Sequence, residues 1–400
     1  MQTGLVQITH PSYFGLFNPT PTFPAQIADR LAATFNPQLA TATTSPAAVA
    51  IENHVVRAVA KQAGLIDTAR GHFTSGGTEA NFTATVMALT AACPEFGQKG
   101  ARAFTGSPIF YVSRDSHQAW LKIAHQCGIG RTAMRFVDTD DQGRLDINKL
   151  SEMIEKDKKI GCTPFMIVAT AGTTNAGMID PLVECGQIAR QNNLWFHVDA
   201  AWGGGLIAST KYKHHLAGIQ HADSVTIDAH KWFATTMGCG IFITQRSSLI
   251  ESTFHALNSY MPSSNVDVDP YISSVQWSRR FVGLRLFLAL ATVGWDGYGK
   301  HFEQMLMMSE LLKFQLKAWG LLVVNESPVG VLCIVPKNKN AVRQIVNHVV
   351  STGNAWVSTA VFNQQDVIRA CVTSGLTTPS HISDLVTTLV EADTIVSTGA

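Results

Sequence analysis

The chain has 400 residues, 46% of them hydrophobic, enough for one large α/β domain with a sizeable buried core and a smaller second domain. Its 30 basic and 29 acidic side chains leave a formal net charge of +1, which excludes the electrostatic footprint of a protein that binds nucleic acid or anionic membranes and leaves small metabolites as the expected ligands. Seven scattered cysteines form no C-x-x-C pair, which argues against a zinc site or a disulfide framework, and the opening MQTGLVQITHPSYFG has no signal-like apolar run, so a cytoplasmic location is expected.

In chain order, Ser45 and Pro46 followed by AAVAIENHVVRAVAKQAG predict a helix with Ser45 as its cap, proline in its first turn and Gly64 as its stop. Short apolar runs at residues 109–113 (IFYVS), 165–169 (FMIVA), 194–198 (LWFHV), 224–228 (SVTID) and 240–244 (GIFIT) predict buried strands. Helical patterns such as LDINKLSEMIEKDKKIG and DPLVECGQIARQNN lie between them, and the alternation predicts a mainly parallel sheet covered on both faces. The charge run at residues 155–159 reads as the solvated face of its helix. Beyond about Trp295, the amphipathic YGKHFEQMLMMSELLKFQLKAWG leads into VGVLCIVP and DVIRACVTS, which predicts a small C-terminal α+β domain. The expected divisions are an N-terminal segment at 1–45, a large α/β domain at 46–295 and the small domain at 296–400.

Lys231 stands out because SVTIDAHKWF sets it just after a buried strand, with no glycine or proline to announce a surface turn. The carboxyl ends of strands are where open α/β sheets keep their ligands, and a lysine there can form a Schiff base instead of serving as a solvated cation. A Schiff-base cofactor such as pyridoxal 5′-phosphate (PLP) makes three further demands: donors for its phosphate, a carboxylate at its ring nitrogen and a flat group against its ring. The stretch TSGGTEAN opens a helix, so the N–H groups of Gly77 and Thr78 with the Thr78 hydroxyl can hold a dianion; a capped glycine turn would read the same way. Asp199 follows LWFHV and can keep a pyridine nitrogen protonated, or be an ordinary turn aspartate. His117, in SRDSHQAW, can stack on the ring or cap the next helix. Their order, each at the end of a strand, joins them into one site.

Through HPSYFG, FTSGGTEAN, DSHQAW, PFMIVATAGTTNAGMIDP, LWFHVDAAWGGG and ADSVTIDAHKW, the sequence resembles the group II PLP-dependent decarboxylases, which act on aromatic amino acids, glutamate or cysteine sulfinate. Weaker matches in WSRRFVGLRLF and DVIRACVTSGLTTPSHISDLV extend the resemblance over nearly the whole chain. It implies a fold-type I α/β enzyme, similar to aspartate aminotransferase, in which Lys231 carries the cofactor, Asp199 meets the ring nitrogen and His117 stacks on the ring. Gly77, Thr78 and His230 would hold the phosphate, with Thr174 and Ala201 beside the ring. Tyr260, on a loop, would return a proton to the α-carbon. Leu16 and Phe17 would line the side-chain pocket, and Arg369 would hold the α-carboxylate. The resemblance also implies a homodimer in which Ser278 reaches the phosphate in the partner subunit, with residues 1–45 serving both pocket and interface. Many relatives carry an N-terminal arm ahead of the point where this sequence begins, so a smaller dimer interface is expected. Asp228 stands where many relatives have asparagine, and a carboxylate there repels the phosphate unless it faces away. No metal is expected.

The implied reaction converts an L-amino acid to its amine and CO2. Leu16 and Phe17 stand where glutamate-specific relatives place polar groups, which points to an aromatic or apolar substrate, whereas HVDAAWGGG looks more like the acidic-substrate branch. The alternatives are an acidic amino acid decarboxylase, an aldehyde synthase or aminotransferase on the same fold, or a non-catalytic α/β ligand-binding protein.

Overall fold

Seven short strands form the central sheet of the computed structural model, which describes residues 5–256 and 269–398. They are β1 (Arg70–Thr74), β2 (Pro108–Ser113), β3 (Met134–Val137), β4 (Thr163–Thr170), β5 (Trp195–Asp199), β6 (Ser224–Asp228) and β7 (Gly240–Thr244), in the order β1-β7-β6-β5-β4-β2-β3. From β3 to β6 all neighbours are parallel, while β7 runs antiparallel to both β6 and β1. Every residue of β2, β5, β6 and β7 is buried, as a sheet covered on both faces requires.

Two-residue alternation distributes the strands between two cores. Phe110 and Val112 of β2 and Met166 and Val168 of β4 pack with Ala84 and Met87 of the helix Gly77–Ala92 and with Trp120 of the helix Ala119–Gln126. Their neighbours Ile109, Tyr111, Ile167 and Ala169 join the opposite core, with Leu150 and Ile154 of the helix Ile147–Lys159 and Leu182 and Ile188 of the helix Leu182–Gln191. The parallel strands are therefore packed on both faces, and their carboxyl ends share one edge.

Two local expectations are corrected. The helix Pro46–Gln62 forms, but Ser45 does not cap it; the Ser45 hydroxyl donates to the Gln38 carbonyl at 2.7 Å. The charge run at 155–159 is not wholly solvated either. Asp157 is buried, accepting from Arg135 Nε and the Tyr111 hydroxyl, each at 3.2 Å, and burial beside that carboxylate pushes the phenol's pKa up.

The long helix Gly283–Ala318 is broken at Gly294, whose φ of 64° favours glycine, and it leads into a second, antiparallel sheet. Its strands are β8 (Leu322–Val323), β9 (Val331–Val335), β10 (Ser358–Phe362) and β11 (Gln365–Cys371), in the order β10-β11-β9-β8. The N-terminal segment docks on this sheet: Phe14 N–H donates to the Trp356 carbonyl and Cys371 N–H to the Phe14 carbonyl, both at 2.8 Å. A Cβ at Gly15 would lie 1.9 Å from the Trp356 ring, so only glycine lets the chain pass there and deliver Phe17 toward β5 and β6. Among the described residues no helix is long and apolar enough to cross a membrane.

Candidate active site

A cavity of about 300 Å³ opens at the carboxyl edge of the large sheet, the place a doubly wound topology reserves for ligands. One end is the turn after β1. Gly76 has φ 152°, and the helix Gly77–Ala92 starts immediately behind it. The N–H groups of a first helical turn have no intrahelical acceptor, and Gly77 and Thr78, which line the cavity, bring theirs to it with the positive end of the helix dipole available to an anion. Glu79 braces the turn, accepting from Ser75 N–H at 2.8 Å and its hydroxyl at 2.6 Å. The donor set suits a phosphate dianion.

Asp228 and Lys231 stand at the end of β6. Lys231 Nζ lies 3.1 Å from Asp228 Oδ2, and His230 Nε2 lies 3.8 Å from the same oxygen. Asp228 Oδ1 is buried with no hydrogen-bond partner, and a Cβ at Gly77 would sit 3.0 Å and 3.4 Å from the two carboxylate oxygens. The carboxylate therefore faces the anion cradle instead of turning away. Lys231 Nζ is the cation paired with it. Asp228→Asn should accordingly tighten PLP binding by about tenfold, the scale of one removed like charge in a partly screened site. Equilibrium dialysis checks this, and an unchanged dissociation constant would show that the Asp228 charge does not act on the phosphate.

Asp199 ends β5, with its carboxylate buried. Its Oδ1 accepts from Ala201 N–H at 3.2 Å and its Oδ2 from Asn81 Nδ2 at 2.8 Å. His117 also lines the cavity, and its Nδ1 accepts from Ala119 N–H at 3.1 Å at the start of the helix Ala119–Gln126. The neighbouring Ser116 hydroxyl pairs with that of Thr170 at 2.8 Å, fixing this wall to β4.

Phe17 forms the fourth side. Its ring stacks on Trp202 with centroids 4.0 Å apart and planes 18° apart, and Lys231 Nζ lies 5.7 Å from its centre. The Arg369 guanidinium lies 4.8 Å from the same ring. Arg369 is buried, donates from Nε to the Thr174 carbonyl at 2.7 Å and from Nη1 to the Gly15 carbonyl, and leaves Nη2 without a partner.

Of the residues singled out in the sequence, the cavity brings together Phe17, Gly77, Thr78, His117, Thr174, Asp199, Ala201, His230 and Lys231. Three lie off its wall. Leu16 is 49% exposed, Arg369 is held against the Phe17 ring without reaching the wall, and Ser278 is exposed, with its hydroxyl accepting from Gln38 at 2.7 Å. Tyr260 lies outside the described residues. Sequence reasoning missed Asn81 and His197. The available signals were spacing alone: Asn81 is one helical turn past Gly77, and His197 is two residues before Asp199 on the same strand face.

The family model for the pyridoxal-dependent decarboxylase conserved domain matches residues 1–334. Acidic amino acid decarboxylase GADL1 of Bos taurus is 31% identical over 319 residues, 78% of this chain and 60% of that protein, so the chain spans less than two thirds of that relative's length. Tryptophan decarboxylase 2 of Oryza sativa subsp. japonica is 30% identical over 406 residues, 94% of this chain and 80% of that one. Among solved structures, mouse CSAD matches with a TM-score of 0.92 at 25% identity, covering 97% of this chain and 85% of that one. Oryza sativa TDC, solved with PLP and tryptamine, has the same TM-score at 22% identity over 98% of this chain and 85% of its own, so it shares the fold. The phosphate cradle, the strand-end lysine and the buried aspartate fit PLP, the family match runs through all three and on into β9, and the chain therefore belongs to the pyridoxal-dependent decarboxylase family.

Proposed function

We propose that this chain removes the α-carboxylate of an L-amino acid as CO2 and yields the amine. The observation that carries the reading is the convergence on one cavity of Lys231, Asp199 and the helix N-terminus at Gly77 and Thr78. PLP, when bound, supplies an electron-accepting ring in conjugation with the substrate's α-carbon. Lys231 gives the amine to which the cofactor attaches. Gly77 and Thr78 bind the phosphate, Asp199 holds a proton on the ring nitrogen, and His117 covers a face of the ring. Arg369, whose Nη2 is a buried donor without a partner, is assigned the α-carboxylate on the family resemblance; in this structure the Phe17 ring packs against it, and it would have to gain access to the cavity to serve that role. Tyr260 is assigned, on the family resemblance, the return of a proton to the α-carbon.

The substrate side chain is read from Phe17. Stacked on Trp202 beside the cavity, Phe17 offers an apolar surface against which an uncompensated carboxylate loses its hydration. Specificity constants for tyrosine, tryptophan, phenylalanine or leucine should exceed that for glutamate by roughly tenfold or more. A ratio favouring glutamate, aspartate or cysteine sulfinate would assign the chain to the acidic branch, to which the GADL1 similarity also points.

The assembly we propose is a homodimer with shared sites, because Ser278 is exposed and set apart from the cavity of its own chain. All seven cysteines are free thiols, which supports a reducing, cytoplasmic setting.

A further inference from the structure

Behind Asp199 runs an unbroken line of buried polar side chains. Trp195 Nε1 lies 2.8 Å from Ser224 Oγ, which lies 2.8 Å from His197 Nδ1. His197 Nε2 lies 3.0 Å from Asn81 Oδ1, and Asn81 Nδ2 lies 2.8 Å from Asp199 Oδ2. Thr226 Oγ1, at 3.5 Å from the same His197 Nε2, stands at the limit of bonding range. His197 and Ser224 are directly paired across β5 and β6, so the sheet register itself sets this contact. None of the five side chains is more than 5% exposed.

The ends of the line fix its direction. An indole N–H can only donate and a carboxylate can only accept. Ser224 Oγ accepts from Trp195 Nε1–H, and its own hydroxyl donates to His197 Nδ1 when that nitrogen carries no proton. Burial holds His197 neutral, with its pKa pushed down to about 4 despite the nearby Asp199 charge, so the ring carries a single proton; because Asn81 turns its Nδ2 to Asp199 and its Oδ1, which can only accept, to His197, that proton sits on Nε2. That proton goes to Asn81 Oδ1, which turns the Asn81 amide N–H toward Asp199. In the reverse arrangement the Asn81 oxygen would face the Asp199 carboxylate, acceptor against acceptor, and the Ser224 proton would lose its acceptor.

We propose that His197 and Asn81 are positioning residues for the cofactor: together with Ser224 they form a one-way donor relay that holds Asp199 as an acceptor for the ring-nitrogen proton. Neither His197 nor Ser224 lines the cavity. The relay acts through Asp199, and it rests on PLP occupying the cavity.

The test uses the pyridine-nitrogen chemical shift of protein loaded with 15N-labelled PLP, alongside the PLP dissociation constant. His197→Gln places an amide donor where Nε2 stood, whereas His197→Asn places one where Nδ1 stood and loses the donor to Asn81. The Gln variant should keep the shift of a protonated ring and bind PLP within about threefold of the parent; the Asn variant should move toward the neutral shift and bind about tenfold more weakly. Ser224→Ala, which frees His197 to put its proton on Nδ1, should resemble the Asn variant. If either histidine variant fails to fold, Ser224→Ala carries the test. The proposal is overturned if all variants keep the parent shift, or if Gln and Asn are impaired equally, as a purely structural role would have it. A parent protein that binds no PLP would overturn the cofactor reading instead.

Discussion

Lys231→Ala should lower turnover by at least about ten-thousandfold, the scale on which loss of a covalent nucleophile acts. The variant also removes the only cation paired with Asp228 among the described residues, leaving the His230 ring 3.8 Å away, so some loss of apo-protein stability is expected with it. Lys231→Arg separates the two effects. It keeps a cation beside Asp228 but offers no amine for a Schiff base, so thermal stability should return while turnover stays absent. Borohydride reduction followed by peptide mapping should find the cofactor on Lys231 in the parent and on no lysine in either variant. An adduct on another lysine would contradict the assignment.

Asp199→Asn should lower kcat by roughly a hundred- to a thousandfold, the effect of removing one preorganised charge from a reacting site. The substitution is nearly isosteric, yet Asn81 Nδ2 and Ala201 N–H both point donors at position 199, so an amide there meets at least one donor with its own N–H. In the proposed site the ring nitrogen would lose its anionic partner. Substrate contacts remain, so KM should change by less than about threefold. Steady-state kinetics at saturating PLP check this, and an unchanged kcat would remove Asp199 from the ring nitrogen.

The central strands are legible in the sequence because full burial writes them as continuous apolar runs, and β6 and β7 fall where those runs predict. The two that escape notice, β1 (RGHFT) and β3 (MRFV), are the edges of the sheet; Arg70 and Arg135 keep solvent access there, while the buried His72, and Gly71 packed against the Phe242 carbonyl, break the apolar run for reasons set by distant partners. The cavity is legible for a related reason: its polar residues interrupt apolar runs at strand ends, and the parallel topology brings those ends to one edge. Polar residues inside elements leave no such mark. Asn81 within a helix, His197 within a strand and Asp157 within a charge run are each defined by partners distant in the chain. Neighbouring residues are also hard to rank, as with Leu16 and Phe17: one is half-exposed and the other stacks on Trp202. The orientation of Asp228 depends on where Gly77 passes, which no local pattern encodes.

The most direct measurement of the central claim is CO2 release by the PLP-loaded protein, supplied in turn with each proteinogenic L-amino acid, cysteine sulfinate and diaminobutyrate, with amine and aldehyde products quantified. Decarboxylation at this cavity predicts PLP-dependent CO2 and amine in equal amounts from at least one substrate, and none from Lys231→Ala. Amino-group transfer to a keto acid without CO2, aldehyde in place of amine, or a protein that stays colourless and inactive with added PLP would contradict it.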